Sequence, residues 1–450
     1  MKNKISFLSF LLLVISNTSI ISQQLSKAEA VKHTLEHNFG ITIANNTVRT
    51  ASNNAHILNS GLLPSVSANA GALYQNQDTE TSFNGIIDPT TGESRDDITI
   101  DGANTNQYNA GLNLDYTIFD GFGTRYNYKK LKETYNVTKL EARETIENTI
   151  TQLFSVYYRV AQLSETEVTL LENLKISQER VTRAKYQFEY GQNTKLEILN
   201  ARVDVANDSI SLLNNQQELK TSKRDLSLIM NKQFNNEMVV DTLVQFIPKL
   251  KIEEYTSKAT QNNVTLLQND YNLRISEYDI KISKSGYIPS VGLFGSYGWN
   301  QNRNPSTTFF PGNIQDSFTL QAGVNLSWNI FDGGNTLTNI KNAKIALENQ
   351  EILQKQIESE ITTDIANAKT NYNVKLEIYA MQKQNVITNL DNFNRTIERY
   401  KLGQITSIEY RQAQVNLTSA KANQSLAKYD AKLAEIQLIQ LTGQLLNIEL

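Results

Sequence analysis

Three histidines and no cysteine leave this 450-residue chain few places where bond chemistry could occur. His33 and His37 stand four apart, with Glu29 and Glu36 nearby. On a helix that spacing can set two imidazoles on one face, as a zinc site requires. The pattern is not HExxH, and no spacing fixes a third ligand; the alternative is a pair of exposed helix residues. Without cysteine there are no disulfides, thiolate metal sites, thiol nucleophiles or lipidated N-terminal cysteine. The segment Phe119-Asp120-Gly121-Phe122-Gly123 lacks the context of a phosphate-binding loop. No nucleophile elbow is present. The chain reads as neither an enzyme nor a cofactor carrier. A net charge of −3 gives no reason to expect nucleic acid.

If the side chains do no chemistry, the elements that carry them must hold the function. Residues 1–22 read as a secretory signal: Lys2 and Lys4 precede a mostly apolar run from Ile5 to Ile15. That run is short for a bilayer span, and no later run of 18 apolar residues follows. An exported chain of this kind is periplasmic, secreted or a β-barrel.

The remainder reads as two copies of one unit, 23–230 and 252–450, joined by a linker at 231–251. Ile118-Phe119-Asp120-Gly121 recurs as Ile330-Phe331-Asp332-Gly333, and the offset is 212. At the same offset Tyr190-Gly191-Gln192 matches Leu402-Gly403-Gln404, and Glu197 matches Glu409. Upstream the offset is 225, where Leu63-Pro64-Ser65-Val66 matches Ile288-Pro289-Ser290-Val291. A loop between two strands absorbs the change.

Each copy reads as an opening helix (25–59 or 252–286), a β-hairpin (62–118 or 288–330), a long helix (122–190 or 334–402) and a returning helix (193–230 or 405–445). In the hairpins apolar and polar residues alternate. Tyr108, Ala110, Leu112, Leu114, Tyr116 and Ile118 share one face. The corresponding run goes from Phe318 to Ile330 through Leu320, Val324 and Trp328. Val66 to Tyr74 and Val291 to Trp299 alternate more weakly, with polar loops expected at 77–106 and 301–316. About 11 residues is the length of a tilted strand crossing a bilayer, and aromatics belong near its ends. A soluble sandwich is the alternative, but it needs more strands than these four. Four strands close no barrel, and unpaired edges in lipid cost several kcal/mol per group. Strands of this kind require several chains to share one barrel; a trimer supplies twelve.

Between Phe122 and Glu189 there is no proline and one glycine, and between Asn335 and Leu402 neither occurs. At 1.5 Å per residue each stretch spans ~100 Å. Ile365, Tyr372, Tyr379, Val386, Phe393 and Tyr400 recur every seventh position. The matching set in copy one is Leu153, Val160, Glu167, Leu174, Val181 and Phe188. That period predicts coiled-coil packing. Leu196, Leu199, Val203, Ala206, Ile210 and Leu213 predict a seam on the returning helix. Gly191 and Gly403 read as helix-ending residues at the hairpin turns, and Asp120 and Asp332 as caps where strand becomes helix beside Gly121 and Gly333.

With the doubled Pro-Ser-Val and Phe-Asp-Gly motifs, the Phe188–Gly191 and Tyr400–Gly403 ends, and Leu441-Thr442-Gly443, the chain resembles the TolC-like outer-membrane efflux protein family over roughly residues 25–447. The resemblance implies an α+β membrane protein: a homotrimer whose four strands per chain build a 12-stranded transmembrane β-barrel, continued by a periplasmic α-helical barrel of coiled-coil type. It implies an outer-membrane channel-tunnel of a tripartite efflux or type I secretion system, with a periplasmic adaptor and an inner-membrane pump as partners and no cofactor. It places the periplasmic gate at Glu409, Glu197 and Tyr400, with Glu409 projecting into the mouth. Ile405 stands where the family pattern has an arginine and Gln412 where it has a second aspartate. The competing class is a trimeric coiled-coil surface adhesin or structural envelope protein. Against it, the hairpins lie mid-chain and far apart, at 62–118 and 288–330, and the chain ends in helix.

Overall fold

The structure, a computed structural model, describes residues 24–233, 238–306 and 311–448. The signal segment at 1–22 lies outside the described residues. The chain divides into two units: Thr50–Asn136 with Tyr271–Glu351, and the remaining segments Val137–Asp270, Ile352–Leu450 and those up to Arg49.

The first unit holds a four-stranded sheet of β2 (Ser65–Thr81), β3 (Ile98–Phe119), β5 (Ser290–Asn304) and β6 (Asn313–Ser327), in the order β2-β3-β5-β6. All three pairings are antiparallel. The register aligns the apolar sets of all four strands: Ala68, Leu112, Tyr297 and Leu320 form one row, and Ala70, Ala110, Trp299 and Phe318 the next. Because side chains alternate along a strand, this register gives the sheet an apolar face through those rows, and beyond them the same face carries Gln301 and Asp316 beside Tyr108. The opposite face carries rows such as Asn69, Gly111, Gly298 and Thr319. One aromatic breaks its polarity: the Phe294 ring lies where a Cβ on Gly323 would sit, only 2.7 Å from that position.

The strands outrun the alternating stretches. The loops expected at 77–106 and 301–316 shrink to 82–97 and 305–312, of which 307–310 lie outside the described residues. The β2–β3 pairing continues past a bulge at Gln77 and Thr79. There Gly102, with φ of 65°, donates its amide to Asp78 Oδ1 at 2.6 Å. Glycine takes that backbone conformation without steric cost. At the other end β6 stops at Ser327, so Trp328 and Ile330, expected within the strand, follow it.

Strand passes to helix through matching turns. Asp120 Oδ2 accepts from the amide and hydroxyl of Thr124 at 2.7 and 2.6 Å. Asp332 Oδ2 accepts likewise from Thr336 at 2.8 and 2.5 Å. Gly121 and Gly333 have φ of 69° and 70°. A Cβ on Gly121 would meet Ile288 Cβ at 2.9 Å, whereas Gly333 faces open space.

The second unit is helical. It takes most of two 67-residue helices, α3 (Gly123–Glu189) and α8 (Asn335–Lys401). It also contains α1 (Lys27–His37), α4 (Lys195–Ile229), α5 (Lys249–Ser257), α6 (Ala259–Asn262) and α9 (Ser407–Leu441). Helices α2 (Phe39–Asn54) and α7 (Val264–Ser285) each cross from one unit to the other. Among the described residues no helix is long and apolar enough to cross a membrane.

The opening helices expected as 25–59 and 252–286 are each broken. In the first, Asn38 leaves helical geometry and accepts from the Ile41 amide through Oδ1 at 3.1 Å, while its Nδ2 donates to Ile229 O at 2.8 Å. Asn263, its counterpart at the longer of the two sequence offsets, accepts from Leu266 and donates to Leu441 O at 2.9 Å. A side chain that caps the following segment satisfies amides the helix would otherwise hold, so the break is stable.

The core surrounds Ile150, Leu153, Phe154, Tyr157 and Tyr158 of α3, packed with Leu226 and Met230 at the end of α4 and Ile436, Leu438 and Ile439 of α9. The join at 231–251 is not merely a linker there. Its β4 (Val239–Val240) pairs in parallel with β1 (Gln24–Leu25). The buried Tyr157 hydroxyl donates to Leu25 O at 2.7 Å and accepts from the Asp241 amide at 2.9 Å.

Within one chain the expected seams are covered only in part. Leu153, Val160, Ile365, Tyr372 and Phe393 are buried, but lower on α3 the buried positions are Asn173, Ser177, Arg180 and Ala184 rather than Leu174, Val181 and Phe188. On α4 the chain covers Ala201, Asp208, Leu212 and Asn215, leaving Leu196, Leu199, Val203, Ile210 and Leu213 exposed. A 3-4 spacing marks an apolar face without saying whether the same chain covers it.

Candidate gate at the helix turns

The two long helices end alike. Gly191 donates to Phe188 O at 3.0 Å and Gln192 to Gln187 O at 2.7 Å, while Gly403 donates to Tyr400 O at 3.1 Å and Gln404 to Arg399 O at 2.9 Å. This is the Schellman closure, and it requires the left-handed backbone both glycines adopt, with φ of 69° and 72°. Nothing lies within 4 Å of a Cβ at either glycine, so conformation and not space selects the residue.

The returning helices begin differently. Thr406 caps α9 in a full capping box: its hydroxyl accepts from the Glu409 amide, and Glu409 Oε2 accepts from the Thr406 amide at 2.8 Å. The Thr406 amide, then its hydroxyl, hold the exposed Glu409 carboxyl below the usual carboxylate range. Thr194 makes no such side-chain bond at the start of α4. Glu197 instead reaches across the turns, and its Oε2 accepts from the Ser407 hydroxyl at 2.5 Å.

Tyr400 does not contact Glu409. It stacks on Tyr410 at 4.7 Å between centroids, with the Arg183 guanidinium 5.4 Å over its face. Phe393, Tyr410, Ala413 and Leu417 form the small core beneath, and Ile405 packs against it. Burial raises the Tyr400 and Tyr410 hydroxyls above their ordinary pKa. Gln412 is exposed and donates to Asn416 at 2.8 Å.

Deeper along the helices lies a polar network that the sequence reading missed. Arg411 of α9 grips Asp208 of α4 with two bonds, at 2.8 and 2.7 Å. Arg180 of α3 pairs with Asp204 of α4, which also lies 3.5 Å from Arg411 Nε. Ser177 donates to Asp208, and Gln414 donates to Asn173 Oδ1 at 2.9 Å and to Ser177 at 3.0 Å. Two guanidinium and two carboxylate groups balance, as burial demands. Burial opposes the Arg411 charge, but its bonds to Asp208 and the nearness of Asp204 outweigh this and raise its pKa. A signal existed in the sequence. At the shorter offset between the two copies, Arg411 matches Leu199, Asp208 matches Ala420, Asp204 matches Asn416 and Arg180 matches Asn392. Charge at four such positions in one copy alone marks a contact that the other copy does not make.

The His33 and His37 rings lie 5.6 Å apart and tilted by 33°, and His33 Nε2 lies 2.9 Å from Lys232 Nζ. Among the described residues no group of three His, Cys, Asp or Glu could hold a metal ion.

Two structural features stand out, a sheet with an apolar face and helix turns flanked by Glu197, Glu409, Tyr400 and Tyr410. Known proteins share both the sequence and the fold. The sequence matches the family described as outer membrane efflux protein over residues 30–232 and 255–444. The outer membrane efflux protein BepC of Brucella suis biovar 1 is 21% identical over 335 residues, covering 74% of this chain and 72% of the relative. The outer membrane protein TolC of Vibrio cholerae serotype O1 is 24% identical over 306 residues, covering 67% of this chain and 69% of the relative. The solved Campylobacter jejuni CmeC outer membrane channel superposes with a TM-score of 0.73 at 18% identity, covering 93% of this chain and 86% of that one. The open-state Neisseria gonorrhoeae MtrE outer membrane channel gives 0.70 at 15% identity, covering 93% and 88%. With most of its length matched from the opening helix to Gln444, the chain belongs to the outer membrane efflux protein family.

Proposed function

We propose that this outer-membrane efflux protein works as one third of a passive duct, conducting solutes from an inner-membrane pump and its periplasmic adaptor to the outside. Three chains contribute four strands each to a twelve-stranded barrel in the outer membrane, and the long helices carry the path through the periplasm. The observation that carries this reading is the open sheet, apolar on one face from the Tyr116, Leu293 and Val324 row to the Ala70, Ala110, Trp299 and Phe318 row, and bare at both edges, β2 and β6. Such a sheet cannot stand in lipid alone, because each unpaired backbone group there costs several kcal/mol. Closing it with identical copies removes every edge.

The two copies of the unit, 23–230 and 252–450, would then derive from one duplicated ancestor. Supporting this, the breaks at Asn38 and Asn263, the caps at Asp120 and Asp332 and the turns at Gly191 and Gly403 recur at the two sequence offsets. The helix turns form the periplasmic gate. Glu409 of three chains makes an acidic ring that favours cations by focusing the field. Glu197 holds the neighbouring hairpin through Ser407, and Tyr400, stacked on Tyr410 of its own hairpin, does so beneath Arg183 of the other. Transport is powered by the pump, so no catalytic step falls to this chain.

The test is the mass of the purified mature protein in mild detergent together with its conductance in planar bilayers. A trimer that forms discrete cation-preferring channels is expected. A monomer, or a protein that stays in the aqueous fraction, overturns the proposal.

A further inference from the structure

Beside the Arg411 network a cavity of about 270 Å³ opens between α3, the Tyr400 end of α8 and the start of α9. All three segments belong to the helical unit. Arg180 lines the cavity and is only 6% exposed. It pairs with Asp204 through Nη2, but Nη1 is buried and has no hydrogen-bond partner among the described residues. A buried donor left unmade carries its full desolvation cost, and a charged one carries more. Arg183, on the same wall, lies over the Tyr400 ring and donates to Lys401 O at 3.4 Å. Among the described residues it pairs with no carboxylate. Tyr400 and Tyr410 complete the cavity, and neither hydroxyl is hydrogen-bonded among the described residues. Burial raises the pKa of both hydroxyls, and the Arg180 and Arg183 charges act against that rise.

The cavity thus gathers donors and lacks an acceptor for them. Its one carboxylate, Glu179, is exposed, so water and salt screen it. Lys401, also exposed, is answered by Glu398 at 2.8 Å. The repeat offers an internal comparison. At the shorter offset Arg180 matches Asn392, Tyr400 matches Phe188 and Tyr410 matches Ile198. Neither the buried cation nor either hydroxyl recurs. Arg183 alone recurs, as Arg395, and that residue pairs with Asp391 at 3.0 Å. The donor set is therefore peculiar to this seam and is not a by-product of the duplicated pattern.

We propose that this cavity is a binding site for a phosphate-like oxyanion, held by Arg180 Nη1 and the Arg183 guanidinium on one side and by the Tyr400 and Tyr410 hydroxyls on the other. An ionised acceptor forms the stronger bonds to a guanidinium. A tetrahedral oxyanion presents oxygens in several directions at once, which suits donors carried by three helices. The arginines stand on α3 and the tyrosines on α8 and α9. A bound ion therefore ties the turn end of one helical hairpin to the other and holds Tyr400 in place. The site is complete within one chain and does not depend on the assembly proposed above.

The test is calorimetric titration of the full-length protein in mild detergent with inorganic phosphate. Sodium chloride holds the ionic strength constant, so that general screening cancels. One saturable site per chain is expected, and hydrogen exchange should slow at the Tyr400 end of α8 and in the first turn of α9. Arg180→Gln should weaken binding by about tenfold or more. Because Arg180 also holds Asp204, Arg183→Gln serves as a second variant that leaves that pair intact, and it should weaken binding in the same direction. Circular dichroism confirms native helix content in both. A parallel titration with glycerol phosphate separates the sources: tighter binding of the free ion or of the ester shows which one the site takes. No saturable binding of either by the native protein, or binding unaltered in both variants, overturns the site and leaves the duct proposal standing. A monomer that still binds phosphate overturns the duct and leaves the site.

Discussion

Arg411 and Asp208 meet side by side, Nη2 to Oδ1 at 2.7 Å, with 18% and 8% of their side chains exposed. Two parallel bonds between a guanidinium and a carboxylate fix geometry as well as charge. Removing one partner strands the other in a dry seam. Arg411→Leu is expected to cost about 3–5 kcal/mol, and adding Asp208→Leu to recover much of that loss. Urea unfolding followed by helical circular dichroism reads both values. A double variant no more stable than the single would show that the pair is not an isolated unit of the seam.

Glu409 gives a pH dependence. Its carboxyl is held below the ordinary 4.5, first by the Thr406 amide and then by the Thr406 hydroxyl. A carboxylate with a depressed folded pKa stabilises fully above its unfolded value, and that support is lost as pH falls through the folded value. Amide protection in the first turn of α9 should therefore weaken on acidification below about 4.5 in the native chain. Glu409→Gln should show little change over that window. In planar bilayers the same variant should weaken block by hexamminecobalt; an unchanged titration would remove the acidic ring.

Gly121 and Gly333 share a backbone conformation but not an environment. Gly121→Ala meets both the conformational strain, about 1–3 kcal/mol, and Ile288. In monomeric protein Gly333→Ala should show the strain alone. Thermal midpoints of the two variants, compared before and after assembly, separate the contributions. Equal losses in the monomer would contradict the close approach of Ile288.

Glu435 is fully buried and ties the join to α9. It accepts from the Ile247 amide and the Tyr372 hydroxyl, each at 2.9 Å, and pairs with Lys432, which donates to Gln245 O at 2.8 Å. Glu435→Ala leaves Lys432 as an unpaired buried charge and should cost about 3–5 kcal/mol. Limited proteolysis should then cut between residues 241 and 248. Resistance equal to the native chain would show that the join is held by other contacts.

The sequence makes the sheet legible because one face is apolar, and alternation survives wherever that face is continuous. The strand ends are not legible in this way. Beyond Gln77 the pairing continues through polar residues and a bulge set by Gly102, which no alternation records. On the helices, spacing discloses the apolar stripe of α4 but not what lies on it. Leu199 and Leu213 read as part of a seam, and such a pattern is blind to which molecule covers it. The turns at Gly191 and Gly403 are visible because only a left-handed residue ends a helix that way. The network at Arg411 escapes because its members sit on three helices. Each alone resembles a solvated charge, and only comparison of the two halves sets them apart.

The Tyr157 hydroxyl, shared between Leu25 and Asp241, has a consequence for how the molecule is made. Three places far apart along the chain must coincide before that bond exists. A polypeptide crossing a membrane amino end first exposes Leu25 long before Asp241 emerges. Until then β1 has no β4 to lie against, and the aromatic cluster around Tyr158 has no lid. The contact can therefore form only after more than half of the chain is available, which makes it a late event in folding.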